Sequence, residues 1–342
     1  MNKAGSIISA YPSAAIPGGE ISIECSGFSA GYGNDYGCLF NGEAGTLVGA
    51  SSRRVVAIVP EHQFDPKGEI VLSSGGEISD AFPITLGAKL TSDMHIVANP
   101  VVDPKDDSII LTVSGSRGQH LDATLFRLES DGYVHRMRVD VLNPTGLAFD
   151  PDGNLYVSNR AEGEVYRISG EDEIEAVIGG FGIATGIAFD SYGVLYVGDR
   201  SGTIYRIPDE GRAETFAVLE PSVAAYHLAF GPDGVLYVTA PGLASYDSVY
   251  AVHEDGSVSS HFRGFGRPQG LAFDTDGNLY VAACYHGKHG IARISADGSS
   301  AETVVAGGNI VGLCFSRQGE MIVATRDTAY SLPLGIYGTL LT

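Results

Sequence analysis

The sequence predicts an all-β chain in two parts, a small β-sandwich over residues 1–88 and a six-bladed β-propeller over residues 89–342. Three observations predict it. A cassette recurs as PTGLAFDPDGNLYV from Pro144, ATGIAFDSYGVLYV from Ala184, HLAFGPDGVLYV from His227 and PQGLAFDTDGNLYV from Pro268, with a worn copy, VGLCFSRQGEMIV, from Val311. Its phenylalanine falls at Phe149, Phe189, Phe230, Phe273 and Phe315, in steps of 40, 41, 43 and 42 residues. A period of that length with several short strands per unit is the signature of a propeller. Second, each copy reads as an apolar strand, an Asp/Gly turn, LYV, a third strand such as EVYRIS, and a looser fourth, which is the meander of one blade. Third, residues 1–88 lack the cassette and carry short β-branched runs separated by Gly, Pro and Asn/Asp turns.

Taken in order, the first part offers strands at Ile21–Cys25, Arg54–Pro60, Glu69–Ser74 and Ala81–Leu86. The segment Ala98–Val113 supplies the unit missing from the five cassettes, with Val102 aligned on Phe149 after a step of 47 residues. Two segments compete to complete the outer edge of the last blade, Lys89–Val97 and Gly335–Thr342. Helices are nearly absent from the pattern.

The residues of both parts resemble known families. IISAYPSAAIPGGEISIECSGF (Ile7–Phe28), with VVAIVP at Val55–Pro60, resembles IPT/TIG domains, which are immunoglobulin-like modules. That resemblance implies a spacer or protein-contact surface and no catalysis. The cassette PxGLAFDxDGNLYV resembles the NHL repeat and, more loosely, the propellers of the gluconolactonase and regucalcin-like family and of strictosidine synthase. The fold hosts binding proteins and enzymes alike, so the likeness names an architecture and not an activity.

Composition narrows the partners. The chain carries 41 acidic against 21 basic residues, a formal net charge of −20, and no basic cluster longer than Arg53-Arg54. Nucleic-acid backbones and anionic membrane surfaces are repelled by such a charge. No stretch approaches the roughly 20 apolar residues that span a bilayer, and Met1–Ala10 has no signal-peptide pattern, although an exported protein whose signal has been removed would read the same way. Cys25 and Cys38 are a candidate disulfide if the protein works outside the cytoplasm. Cys314 stands where the other copies have Ala148, Ala188, Ala229 and Ala272, and reads as a small buried thiol.

Function has to sit where the copies differ. The residues just before each first strand, Ala98-Asn99, Thr145-Gly146, Thr185-Gly186, Tyr226-His227, Gln269-Gly270 and Val311-Gly312, gather at one mouth of the central channel. The resemblance to gluconolactonases implies a divalent metal held there by a Glu, an Asn and an Asp. This ring has one Asn and no carboxylate, a poor set of ligands for calcium or magnesium; a shift of loop register that turned Asp199 or Asp247 inward would restore one. His227 replaces a glycine found in four of the other units, either as a functional imidazole at the mouth or as a loop residue packed beside Tyr226. His286 and His289, in CYHGKHG, have a spacing that zinc or copper could use, though a surface loop without a fourth ligand explains them more simply. Arg160, Arg200 and Arg326 share one position just past the LYV strand. They would either clamp an anion or pair with acidic groups between blades. The Tyr-Arg pairs at Tyr166-Arg167 and Tyr205-Arg206 read as third-strand packing. DPDGN opens like a calcium loop but lacks the later ligands, and reads as a hairpin turn.

These residues predict a recognition protein whose propeller face binds a small molecule, glycan or protein through Asn99, Tyr226, His227, Gln269, Tyr285 and His286, with Arg160 and Arg200 as anion contacts and no required cofactor. The alternative is a lactonase or esterase-like hydrolase with His227 as general base, or with a divalent metal such as calcium or zinc. A third reading is a structural assembly module.

Overall fold

The computed structural model of the chain describes residues 4–31, 36–115, 119, 121–170, 172–209, 212–243 and 246–339. It is all-β, and its larger part has the β-propeller fold. In the N-terminal part, one sheet orders the strands Ser6–Tyr11, Glu20–Ser26, Arg54–Ile58 and Thr46–Ala50. A second orders Ala14–Ala15, Phe82–Leu86, Lys67–Ser74 and Tyr36–Phe40. Alternation explains why they face each other. Ile21, Ile23, Val55 and Ala57 from the first sheet, and Phe40, Ile70, Leu72, Ile84 and Leu86 from the second, point into one shared apolar core. Cys25 and Cys38 lie in this core on different sheets as free thiols, and burial pushes the Cys38 thiol up to about 12.

Among the described residues, six four-stranded antiparallel meanders follow. The first spans Val101–Val102 to Val134–Arg136, the second Pro144–Phe149 to Glu173–Ile178, and the third Ala184–Phe189 to Arg212–Val218. The fourth spans His227–Phe230 to Val258–Gly266 and the fifth Leu271–Phe273 to Ala301–Ala306. The sixth takes three strands from Ile310–Phe315, Met321–Thr325 and Ala329–Leu332, and its outer strand is Ala88–Thr91. Of the two segments competing for that edge, the N-terminal one therefore closes the last meander. The C-terminal tail instead makes a single bridge, Gly338 to Asp274, within the fifth; residues 340–342 lie outside the described set.

Register confirms the weakest repeat. Val102 pairs with Ile109 as Phe149 pairs with Leu155, so Val102 does occupy the cassette phenylalanine's place. The Asp/Gly turns are hairpin turns in fact. Asp150 accepts from the Asn154 backbone and side-chain nitrogens, each at 2.8 Å, and Asp274 does the same with Asn278. Third-strand arginines meet fourth-strand carboxylates, Arg167 with Glu175 at 2.6 Å and Arg293 with Glu302.

The two parts share backbone. Ala14–Ala15 lies parallel to Phe82–Leu86 on one side and to Ala301–Ala306 on the other, so the N-terminal sheet runs on into the fifth meander. Ile16 donates to the Ala306 carbonyl at 2.9 Å and buries its side chain in the propeller's apolar cluster. The Tyr11 hydroxyl accepts from the Thr303 N–H at 2.9 Å, and the Lys288 ammonium lies 5.6 Å from the Tyr11 ring centre.

Candidate functional site

The glycine of the cassette exists because the innermost strands nearly touch. A Cβ on Gly186 would lie 2.5 Å from Leu228 Cδ1 and 2.6 Å from the Tyr226 carbonyl oxygen, and one on Gly312 would lie 2.5 Å from Asn99 Cα. Gly146 meets the backbone of Thr185 in the same way. The ring of pre-strand residues is thus a line of contact between meanders rather than the wall of an open channel.

Hydroxyls stitch that line. Thr112 Oγ1 donates to the Thr145 carbonyl, Ser158 Oγ to Thr185 and Thr239 Oγ1 to Gln269, each from a second strand to the start of the next meander. The matching positions in the fifth and sixth meanders are Ala282 and Ala324, which have no hydroxyl. There Gln269 Nε2 donates to the Ile310 carbonyl at 3.2 Å, while Asn99 donates to Leu271 O at 2.9 Å and accepts from Leu313 N–H at 3.1 Å. Asn99 and Gln269 therefore bond the ring together, and the Asn99 amide is not free to take a ligand. Asn99→Ala should lower stability by about 2 kcal/mol, because it leaves a buried carbonyl and a buried N–H unmatched. A denaturant midpoint unchanged from the parent would refute this role.

Tyr226 is likewise a core residue. Its ring is fully buried, its hydroxyl donates to the Glu220 carbonyl, and burial raises its pKa to about 12. Arg200 donates from Nε to Ser222 O and from a terminal nitrogen to Val223 O, both at 3.1 Å, which fixes the loop before the fourth meander. Arg160 has no side-chain partner among the described residues, and burial together with the nearby Arg200 charge lowers its pKa. Arg326 lines a cavity beside the fifth meander.

His227 is 6% exposed, and its imidazole makes no hydrogen bond among the described residues. Burial pushes its pKa down to about 4, so it is neutral at pH 7. It lies opposite Thr239, whose hydroxyl bonds Gln269, one strand pair from the cleft described next.

The polar stretch CYHGKHG is not a loop insertion. It extends two strands, Leu279–Tyr285 and Lys288–Ile294, into a longer hairpin in which Cys284 faces His289. His286 (φ 49°) and Gly287 (φ 79°) form its tight turn, both in the left-handed region that this turn type requires. His286 stacks edge-on against Tyr285, ring centres 4.2 Å apart, and Tyr285 in turn packs against Phe262 and Phe265. His286 at the turn and His289 on the returning strand form no metal set. No group of three or more His, Cys, Asp or Glu gathers anywhere among the described residues.

Of the carboxylates weighed as metal ligands, Asp199 accepts from Gly182, Ile183 and Ser201 N–H groups, while Asp247 accepts from Gly242 N–H through Oδ1 and keeps Oδ2 buried, among the described residues without a partner and without a further pair of carboxylates or histidines to share a cation. The donor set thus does not fit a hard divalent cation, which wants several convergent oxygens.

The extended hairpin walls two adjoining cavities on the loop face. One, of about 250 Å³, is lined by Arg267, Gln269, Cys284, His289, Asn309 and Arg326 among others. The second, of about 730 Å³, is lined by Tyr246, Arg263, Tyr285 and His286, and the two share Gly266 and Cys284. The guanidiniums of Arg263, Arg267 and Arg326 have no hydrogen-bond or ion-pair partner among the described residues, and no carboxylate lines either cavity. In a chain of net charge −20 this is a local concentration of positive charge. Arg267, Arg263 and Tyr246 carry no sequence signal, since they lie outside the cassette; Gln269, Tyr285, His286 and Arg326 do. A further cavity of about 540 Å³ opens on the turn face between Tyr196, Phe230 and Asp233, built from packing aromatics and hairpin turns.

With this geometry in view, the comparisons with known proteins define the class as a β-propeller protein. The propeller is similar to a gluconolactonase of Xanthomonas campestris, with 16% identity over 72% of this chain and 88% of that one and a TM-score of 0.59. It is also similar to virginiamycin B lyase from Staphylococcus aureus, at 15% identity over 72% and 97% with a TM-score of 0.53. An auxiliary nutrient binding protein from Bacteroides ovatus matches along 95% of this chain and 97% of its own, N-terminal part included, at 10% identity and a TM-score of 0.55. At these identities the likeness is one of fold. No protein-family profile matches the sequence, and no curated protein matches it. Among the described residues, no helix is long and apolar enough to cross a membrane.

Proposed function

We propose that the chain is a ring-opening enzyme, a lactonase or esterase-like hydrolase that needs no divalent metal, with the loop-face cleft as its substrate site. The observation that carries this reading is the cleft lined by unpartnered arginines and free of carboxylate. Such a lining favours the negative charge that develops when an ester or lactone carbonyl is attacked, and the carboxylate that results. The gluconolactonase and lyase neighbours support it. His289, exposed on the wall of the smaller cavity, is the imidazole placed to act as general base there, since the buried His227 lines neither cavity. His289 would take a proton from water as the water oxygen bonds to the carbonyl carbon; the ring C–O bond then breaks, and the leaving oxygen takes the proton, giving a hydroxy acid.

We read the six meanders as six NHL-like blades over residues 89–342, and the two N-terminal sheets as an immunoglobulin-like sandwich of the IPT/TIG kind over residues 1–88, acting as a spacer or contact surface. The test is hydrolysis of a panel of γ- and δ-lactones and aryl esters, followed with a pH indicator. His289→Ala should reduce turnover by roughly 100-fold or more, and a chelator should leave it unchanged. Turnover that needs added calcium or zinc, or that survives His289→Ala, would overturn this mechanism.

A second reading is recognition of a small molecule or glycan without chemistry. It is favoured by the nutrient-binding neighbour that spans both parts of the chain. Saturable binding of hydroxy acids with no turnover of any panel member would select it.

A further inference from the structure

We infer that the cleft takes an acidic oligosaccharide, its uronate carboxylate between Arg267 and Arg326 and a neighbouring sugar ring against Tyr285 and Tyr246. The inference rests on the cleft assigned above as the substrate site, but not on the chemistry proposed for it. Two halves of the cleft have different chemistry. The smaller cavity offers two guanidiniums with no partner, and a guanidinium pairs with a carboxylate through parallel N–H donors. The larger offers phenol rings, with Tyr285 braced by Phe262, Phe265 and His286 so that little side-chain entropy is lost on contact.

The lining between and around them is polar. Gln269, Asn309 and His289 present groups suited to hydroxyls, and Gly266 lets a ligand approach the backbone. An apolar aromatic acid would leave these groups unmatched. A saccharide has both an apolar ring face and a rim of hydroxyls, and a uronate adds the charge. Because the two cavities adjoin through Gly266 and Cys284, one ligand of more than a single sugar ring can occupy both.

The experiment is calorimetric titration of the full chain with digalacturonate, and with galactobiose as its neutral counterpart. Digalacturonate should bind at least about tenfold more tightly, since a charge-assisted pair of this kind corresponds to roughly one to two decades of affinity. Arg326→Gln and Arg267→Gln should each weaken digalacturonate by about tenfold, and Tyr285→Ala should weaken both sugars by about fivefold. Arg326 is exposed, so Arg326→Gln folds even if a change at Arg267, which has φ 51°, does not. Equal binding of the two sugars, no binding at millimolar concentration, or digalacturonate affinity unchanged in Arg326→Gln would overturn the inference. Binding is read without turnover. Lactone hydrolysis with no digalacturonate binding would therefore sink this inference alone, and digalacturonate binding with no hydrolysis of the panel would sink the enzymatic reading alone.

Discussion

Gly186→Val should lower the unfolding midpoint by roughly 5 °C. The valine Cβ would overlap the Tyr226 carbonyl oxygen, which is backbone and cannot rotate away, and its methyls would push into Leu228. Overpacking of a tight core costs about 1–3 kcal/mol when side chains alone must move, and here a neighbouring meander has to shift. Gly186→Ala should fall part-way. Gly308→Ala is the control, because a Cβ there meets nothing within 4 Å and the backbone is not in the left-handed region. A melting curve for Gly186→Val that overlays the parent would show that the innermost strands can separate at no cost.

The second large effect concerns acid. The His227 imidazole titrates near 6.5 in the unfolded chain but only near 4 in the folded one, because burial disfavours its cation and no carboxylate faces it. Above pH 6.5 it is neutral in both states and contributes nothing to the pH dependence. As pH falls through 6.5 the unfolded state binds a proton that the folded state refuses, so stability declines until the folded protein also protonates near pH 4. The full difference corresponds to about 3 kcal/mol. His227→Gln should therefore flatten the loss of stability between pH 6.5 and pH 4 relative to the parent, whatever the other groups do. Parallel curves of unfolding free energy against pH for the two proteins would mean that the imidazole is solvated in the fold.

The repeat makes the meanders readable because its residues answer to local demands: a period-two apolar strand, an Asp/Gly turn, a glycine where backbones meet. What it conceals is how meanders join. Asn99 and Gln269 are exceptions to the cassette, and an exception in a repeat invites a functional reading. Their cause lies on neighbouring strands, in the missing hydroxyls at Ala282 and Ala324. Tyr226 misleads in the same way. Its polar end points at a backbone carbonyl, and Gly198 leaves room for its ring, with a Cβ there 3.0 Å from Tyr226 Cβ. The hairpin bearing Cys284 and His289 is visible as an unusual run, but its length as a pair of strands depends on the left-handed turn at His286-Gly287, which residue types alone do not specify. Arg263 and Arg267 have no signal at all, since only the approach of the fourth meander's last strand to the fifth brings them to the cleft.

The two-residue strand Ala14–Ala15 has a consequence for anyone who would divide the molecule. Hydrogen bonded on both flanks, it makes the N-terminal part and the fifth meander one continuous sheet, while Ala88–Thr91, the strand into which the N-terminal part leads directly, seals the sixth. The propeller is therefore tied to its neighbour through hydrogen bonds at the fifth meander and through the chain itself at the sixth, and both meanders contribute walls to the smaller cavity of the cleft. A cut after residue 87 would strip the fifth meander of the strand beside Ala301–Ala306 and empty the socket that Ile16 fills. The N-terminal part is thus bonded to the strand that lies directly beside the returning half of the hairpin that carries Cys284, Tyr285 and His289.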